Sequence, residues 1–300
     1  MHAASRFLRL SPTAYVWVFV AVLSLPIPFA NCVVAQELTA ADVFRAWRGR
    51  QGRTESLHCR VTVLSNYAAG SQLVPGEQEP LPVTSRSSKR VAELFLSGPA
   101  KWRIDHQGNQ FHRRLGRMLE FDLTRVTDGN QYLLNERGYD KVTDWQPQPR
   151  IYSSPRTFRQ ELYWNDVTFA PVLLHYRPFN SMLCPFVEQT YVIDPKRKTI
   201  NSHQCVLLQP SHTAPFSVRK YRYWVAEQMD MSVVRIERVM NGAVEWQYDI
   251  ETVNQDGQWQ PKSYVIRRMQ EGEMVEFSKV TITDLKLNGP VADELFKVAP

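Results

Sequence analysis

The 300-residue chain carries 36 Lys and Arg against 30 Asp and Glu, a net charge of +6 at pH 7. A hydrophobic content of 43% is enough to build a real core, which excludes a disordered tail-like protein. The basic excess is too small to predict nucleic acid as a partner, although it suits an anionic membrane surface.

Residues 1–35 read as a targeting segment. Arg6 and Arg9 precede Ala14 to Leu25, an uninterrupted apolar or small run that is short for a bilayer span. Pro26 and Pro28 break it, and Val33-Val34-Ala35 then offers small residues, so cleavage after Ala35 is predicted, with export to the periplasm or cell envelope. Lipidation at Cys32 and an uncleaved anchor are the alternatives. In an oxidising compartment Cys184 and Cys205, which flank a predicted strand, are the better disulfide pair. Cys59 reads as a buried strand residue, and three free thiols are the alternative.

The mature chain, residues 36–300, is expected to form one domain. It opens with a predicted helix: Thr39 and Asp42 make a capping-box pattern, and Ala40, Val43, Phe44 and Trp47 share a face, with Gly49 as a stop. Leu57 to Leu64 is the first clear strand. Asn66 to Ser88, rich in Gly, Pro, Ser and Gln, reads as a long loop. Lys89 to Leu96 and Lys101 to Asp105, joined at Ser97-Gly98-Pro99, form a hairpin. Leu119 to Val126 and Gln131 to Asn135, split by Asp128-Gly129, form another.

Ser154-Pro155 begins a second predicted helix with Phe158 and Leu162 on one side. The apolar stretch that follows, interrupted by Pro171, Pro178 and Pro185, reads either as a lid or plug or as plain buried packing. Asp194-Pro195-Lys196-Arg197-Lys198 reads as a turn, after which strands return at 204–208, 219–225 and 233–240. The last third is a β-meander. Val244 to Ile250 alternates apolar and polar residues, and Asn241-Gly242, Asp256-Gly257 and Glu271-Gly272 punctuate it as hairpin turns. Asp293-Glu294-Leu295-Phe296 should dock the terminus onto the sheet.

No catalytic motif is present. The histidines have no HExxH or HxH spacing and the cysteines no CxxC, and there is no GxSxG or glycine-rich phosphate loop, so no metal or other cofactor is predicted. Carboxylates such as Glu245, Asp249 and Glu251 fall on the wet face of a strand. The clusters Arg113-Arg114, Lys196-Arg197-Lys198 and Arg219-Lys220 could meet phosphates, but export makes lipid head groups a more compatible partner than nucleic acid.

The order of elements, with Leu94 to Arg103 carrying a Gly98-Pro99-x-Lys101-x-Arg103 hairpin and Asn288 to Phe296 ending in Asp-x-Leu-Phe, resembles the LolA-like family of periplasmic outer-membrane lipoprotein-sorting proteins. The resemblance spans about Leu38 to Pro300. It implies a mainly β (α+β) fold, a strongly bent, unclosed antiparallel half-barrel with short helices as a lid, acting as a monomeric, non-enzymatic carrier of a lipid or lipoprotein acyl chain. The implied cavity face is Val61, Val63, Leu94, Leu96, Trp102, Ile104, Tyr221, Tyr223, Val244, Trp246, Tyr248 and Ile250, with Arg103, Phe158 and Leu162 meeting the lid. The middle segment from Gln146 to Pro185 is longer and more aromatic than such a carrier needs. Trp246 and Tyr248 are bulky enough to fill a core, which would make the chain an envelope interaction or scaffold module.

Overall fold

The structure, a computed structural model, describes residues 38–69, 84–112, 117–139, 144–145, 148–153, 168–179, 186, 188–212, 214 and 221–298. Among these, fourteen strands make one antiparallel, unclosed sheet. The N-terminal strands are β1 (Ser56–Tyr67), β2 (Arg86–Ser97), β3 (Lys101–His112), β4 (Arg117–Thr127), β5 (Tyr132–Tyr139), β6 (Asp144–Trp145) and β7 (Arg150–Tyr152). The C-terminal ones are β8 (Tyr191–Ile200), β9 (His203–Pro210), β10 (Tyr221–Ala226), β11 (Ser232–Met240), β12 (Ala243–Gln255), β13 (Gln258–Gln270) and β14 (Glu273–Leu287). The order is β6-β5-β4-β3-β2-β1-β14-β13-β12-β11-β10-β9-β8, with β7 also on β5. The seam between the two halves is the β1–β14 pair, in which Leu57 faces Leu287 and Val63 faces Val280.

Alternation of side chains separates the two faces. On β1 the residues Leu57, Cys59, Val61 and Val63 are wholly buried, while Arg60 and Leu64, on the alternate positions, are exposed. The turns that hold this register follow from local chemistry. Asn241-Gly242, Asp256-Gly257 and Glu271-Gly272 all have positive φ at both residues, as two-residue hairpins require. Asn201-Ser202 makes a further turn of this kind without a glycine, joining β8 to β9.

Two helices lie on the inner face. α1 (Ala40–Gly52) has the expected capping box between Thr39 and Asp42, and Val43, Phe44, Trp47 and Arg50 are buried. It runs three residues past the predicted stop at Gly49. α2 (Ala170–Tyr176) starts with Pro171 in its first turn, and every residue from Pro171 to Tyr176 is buried. A seven-residue helix with no polar face is stable only as part of a core. The described part of this apolar stretch is buried in the core cluster against the sheet. The helix predicted after Ser154, with Phe158 and Leu162, falls outside the described residues.

On the outer face the chain end crosses back under the N-terminal strands. Phe296, buried in a short turn over Asp293–Phe296, packs on Val126 and Leu133. The predicted docking of the terminus is therefore present. One predicted element is corrected: Asp194 to Lys198 is part of edge strand β8, not a turn. Pro195 is tolerated there because the register slips between Asp194 and Arg197 and an edge strand needs no ladder bond on its free side.

Candidate binding face and its rim

Of the residues expected on the cavity face, Val61, Val63, Leu94, Leu96, Trp102, Ile104, Tyr223, Tyr248 and Ile250 belong to one buried cluster. Tyr221 and Trp246 pack against it while partly buried, and Val244 is half-buried. The same cluster takes in Val43, Phe44 and Trp47 of α1 and Val172, Leu173, Leu174 and Tyr176 of α2. The face is thus assembled, and protein side chains cover it. Aromatic rings do much of this: Phe186 lies 5.3 Å from Phe44, 5.2 Å from Trp47 and 4.8 Å from Tyr191. Such edge and stacked contacts add to the area they bury.

A polar clasp fastens the helices. Trp47 Nε1 donates to Met231 O at 2.7 Å. Arg50, buried on the same side of α1, donates to the backbone carbonyl and, at 3.4 Å, to the carboxylate of Asp230 in the turn before β11. It also reaches His175 Nδ1 at 3.3 Å and His175 O at 3.4 Å, which ties α1 to α2. A guanidinium can only donate, so Nδ1 of His175 is the acceptor and the ring is neutral. Burial, and then the Arg50 charge, hold the His175 pKa well below its ordinary value. Burial likewise lowers Arg50, against the pull of Asp230. The burial of Arg50 depends on a turn 180 residues away, which no local pattern in the sequence marks.

The inner face is not apolar throughout. Beyond Val63, β1 presents Ser65 and Tyr67, and neighbouring strands present Ser88 and Arg90, Ser278 and Glu276, and Arg268. Ser65 Oγ and Ser278 Oγ are 2.7 Å apart, and Tyr67 shares hydrogen bonds with Ser88 and Ser65. Burial, reinforced by Glu276, raises the Tyr67 phenol above its ordinary pKa, so it stays protonated and can donate. Arg268 Nε lies 3.7 Å from Glu276 and its guanidinium 5.9 Å from the Trp246 ring. The sequence pattern predicts a strand ending at Leu64 and a loop over Asn66 to Ser88, whereas β1 runs to Tyr67 and β2 starts at Arg86, which brings Tyr67 and Ser88 onto this face.

At the rim, a solvent-open cleft of about 740 Å³ lies between the end of α1, the β2–β3 turn and residues 288–291. Arg177 lines it and bridges its walls, donating to the carbonyls of Gln51, Glu55 and Gly98 at 3.2 to 3.5 Å. The negative end of α1 and these carbonyls solvate the buried cation, so it acts as a brace between helix and hairpin.

Other expected site residues are placed differently. Arg103 does not meet the helices. It alternates with Trp102 and Ile104, so it faces outward, where Nε donates to Asp105 at 2.7 Å and Nη1 to Leu295 O at 3.3 Å. Its partner is the returning chain end, not a lid. Cys205 is a buried free thiol, as is Cys59, whose pKa burial pushes up to about 12. Cys184 lies outside the described residues, so the expected pairing is not part of the described structure. Lys196, Arg197 and Lys198 are exposed on β8, with Arg197 paired to Glu227 and Lys198 5.5 Å from the Trp224 ring. Arg113-Arg114 and Arg219-Lys220 fall outside the described residues.

No family model and no curated protein matches the chain. Solved structures do. A domain assigned to outer membrane lipoprotein sorting, from Vibrio parahaemolyticus, is similar with a TM-score of 0.46 and 12% identity, over 86% of this chain and 97% of that one. A LolA superfamily protein from Nitrosomonas europaea gives 0.45 and 13%, over 87% and 98%. These neighbours are LolA-like. A DUF1329 family protein from Desulfovibrio piger gives 0.43 and 12%, over 86% and 95%. Likeness at this level concerns the path of the chain; what the inner face can hold is argued from its own residues.

Proposed function

We propose that this chain is an exported, non-enzymatic binding protein that holds a lipid or lipoprotein acyl chain against the inner face of its half-barrel. In this reading residues 1–35 are removed after Ala35, residues 36–300 work as a monomer in the periplasm or envelope, and no cofactor takes part. One observation carries the reading: an open sheet has a broad apolar inner face whose described cover is two short helices. Burying an acyl chain gains roughly 0.8 kcal/mol per CH₂, so a chain of ordinary length can compete with short helices for such a face. The helices then act as a lid that the ligand displaces, with the Arg50–Asp230–His175 clasp as its fastening. The likeness to lipoprotein-sorting and LolA superfamily structures agrees with the proposal without adding to it.

A second reading has its own observation. Trp47, Phe44 and Leu173 already occupy the face, so the half-barrel can be a filled core that presents a scaffold. Partners would then be met through basic segments such as Lys196 to Lys198, an anionic membrane surface included.

The test is gentle native mass spectrometry of the protein purified from a bacterial periplasm, followed by solvent extraction. A co-purifying lipid or acylated peptide that is lost in Trp246→Glu, with folding checked by circular dichroism, supports the carrier. A bare mass that stays bare after incubation with lipids sinks it and leaves the scaffold.

A further inference from the structure

We infer that the ligand is an amphiphile with an acidic head, a carboxylate or phosphate, and that Arg90 is the residue that receives it. The inference rests on the carrier reading and concerns the same face.

Arg90 belongs to the inner row of β2, in step with Ala92, Leu94 and Leu96, and pairs with Val63 on one side and Gly108 on the other. Its position inside the half-barrel is fixed by contact with Thr168, which is itself fully buried and accepts from Tyr264 through its carbonyl. Yet that contact is a 3.5 Å approach to a hydroxyl, the limit of a hydrogen bond, and the buried Nε has no partner among the described residues. Among the described residues no carboxylate pairs with Arg90. Arg90 is partly buried, and a cation drawn part-way out of water normally has its desolvation offset by a paired charge. The carboxylate on this part of the face, Glu276, is engaged by Arg268 and Ser278.

One feature of the surroundings suits an oxyanion. Hydroxyls gather beside Arg90: Ser88 two residues back on the same row, then Ser65, Ser278 and Tyr67 across the neighbouring strands. Hydroxyl donors around a guanidinium are the groups that hold carboxylate and phosphate oxygens. Beside Arg90 on the third strand is Gly108, which contributes no side chain to the row. Its φ is +132°, and a Cβ there would stand 2.5 Å from Lys89 O and 2.7 Å from Arg90 Cα. The glycine lets β3 run close to β2 at this point, where any side chain would collide with the backbone.

The geometry also gives the ligand a direction. From Arg90 the row continues through Ala92, Leu94 and Leu96, about 20 Å of apolar strand at the usual rise per residue. Val61 and Ile104 flank it on either side. An acid head at Arg90 therefore leaves a long acyl chain lying along a row whose apolar residues share one buried cluster with those of α1 and α2.

Four probes offered to the purified protein test this by calorimetry: palmitate, a palmitoyl lysophosphatidate, hexadecanol and inorganic phosphate. The acid-headed lipids should bind at least about tenfold more tightly than the alcohol, as expected for a charge-assisted hydrogen bond. Arg90→Met should remove that preference and leave hexadecanol binding unchanged, while Arg90→Lys should keep part of it; thermal melting of each variant confirms that it is folded. Equal binding of acids and alcohol, unaffected by Arg90→Met, overturns the role of Arg90 and leaves the carrier reading standing. If inorganic phosphate binds in an Arg90-dependent way as tightly as the lysophosphatidate, the site serves a free anion and the amphiphile is wrong. If none of the four binds, the carrier reading falls and this inference with it.

Discussion

Along β1, Leu57, Cys59, Val61 and Val63 are fully buried among hydrocarbon, and two positions further Ser65 and Tyr67 are nearly as buried among hydroxyls and an ion pair. The same strands, with the same alternation, thus build two environments on one face. In the first, stability comes from area removed from water and from close packing, which no single contact dominates. In the second, each buried polar group depends on a particular partner, so loss of one atom strands another. The outer face is a third case: ion pairs such as Lys262 with Glu251 lie in water and contribute little.

Substitutions should separate these cases by size. The largest effect is expected from Trp47→Ala, which empties a fully buried ring site between α1 and the sheet and removes its bond to Met231. Chemical denaturation should show a loss of about 3–5 kcal/mol. A smaller loss would mean that the apolar half can collapse around the gap. Gly108→Ala comes next. At a positive φ and with backbone atoms under 3 Å from the new methyl, it should lose about 1–3 kcal/mol in the same assay.

In the hydroxyl half, Ser278→Ala removes a partner of Ser65 and leaves that hydroxyl buried, a loss of about 1–2 kcal/mol. Replacing both, Ser65→Ala with Ser278→Ala, should cost less than twice as much, because no donor is then left unpaired. A strictly additive double mutant would contradict the network description.

The helix clasp gives a pH signature. The folded His175 takes up a proton far less readily than an ordinary histidine, whose pKa is 6.5. As pH falls below that value the unfolded chain gains a proton that the folded chain refuses, so the stability present above it is lost as pH drops toward the folded pKa. In His175→Gln the fall in melting temperature on acidification should be shallower; an unchanged slope would assign the acid sensitivity to other groups. The smallest effect belongs outside. Lys262→Ala should change stability by less than about 0.5 kcal/mol, and even that should fade at high salt.

Much of the framework was legible residue by residue. The Thr39–Asp42 capping box, the alternation at 57–64 and 244–250 and the three Xaa-Gly turns each have a local cause, and each is found where that cause puts it. What failed had a non-local cause. Pro195 looks like a breaker unless β8 is known to be an edge. The strand after Lys101 runs to His112, past a polar stretch, because β2 and β4 pair with it along that length. Arg103 sat in a motif whose resemblance pointed to a lid, while simple alternation with Trp102 already put it on the other face. The apolar part of the inner face was implied by the family resemblance. Its polar half was not, since Ser65, Ser88, Arg90 and Ser278 meet only through the β1–β2 and β1–β14 registers, and the last lies more than two hundred positions from the first.

That seam bears on how the molecule is made. β1, the first strand of the sheet in sequence, takes β14, the last, as its second neighbour. A chain emerging N-terminus first can pair β1 through β5 at once, but it must wait for almost all of its length before the free side of β1 is covered. During that interval an apolar strand with an unsatisfied ladder stands at the edge of a half-finished sheet, the kind of surface that invites other chains to add to it. Folding such a chain therefore calls either for completion that outruns association or for a companion that shields β1 until the last strand arrives.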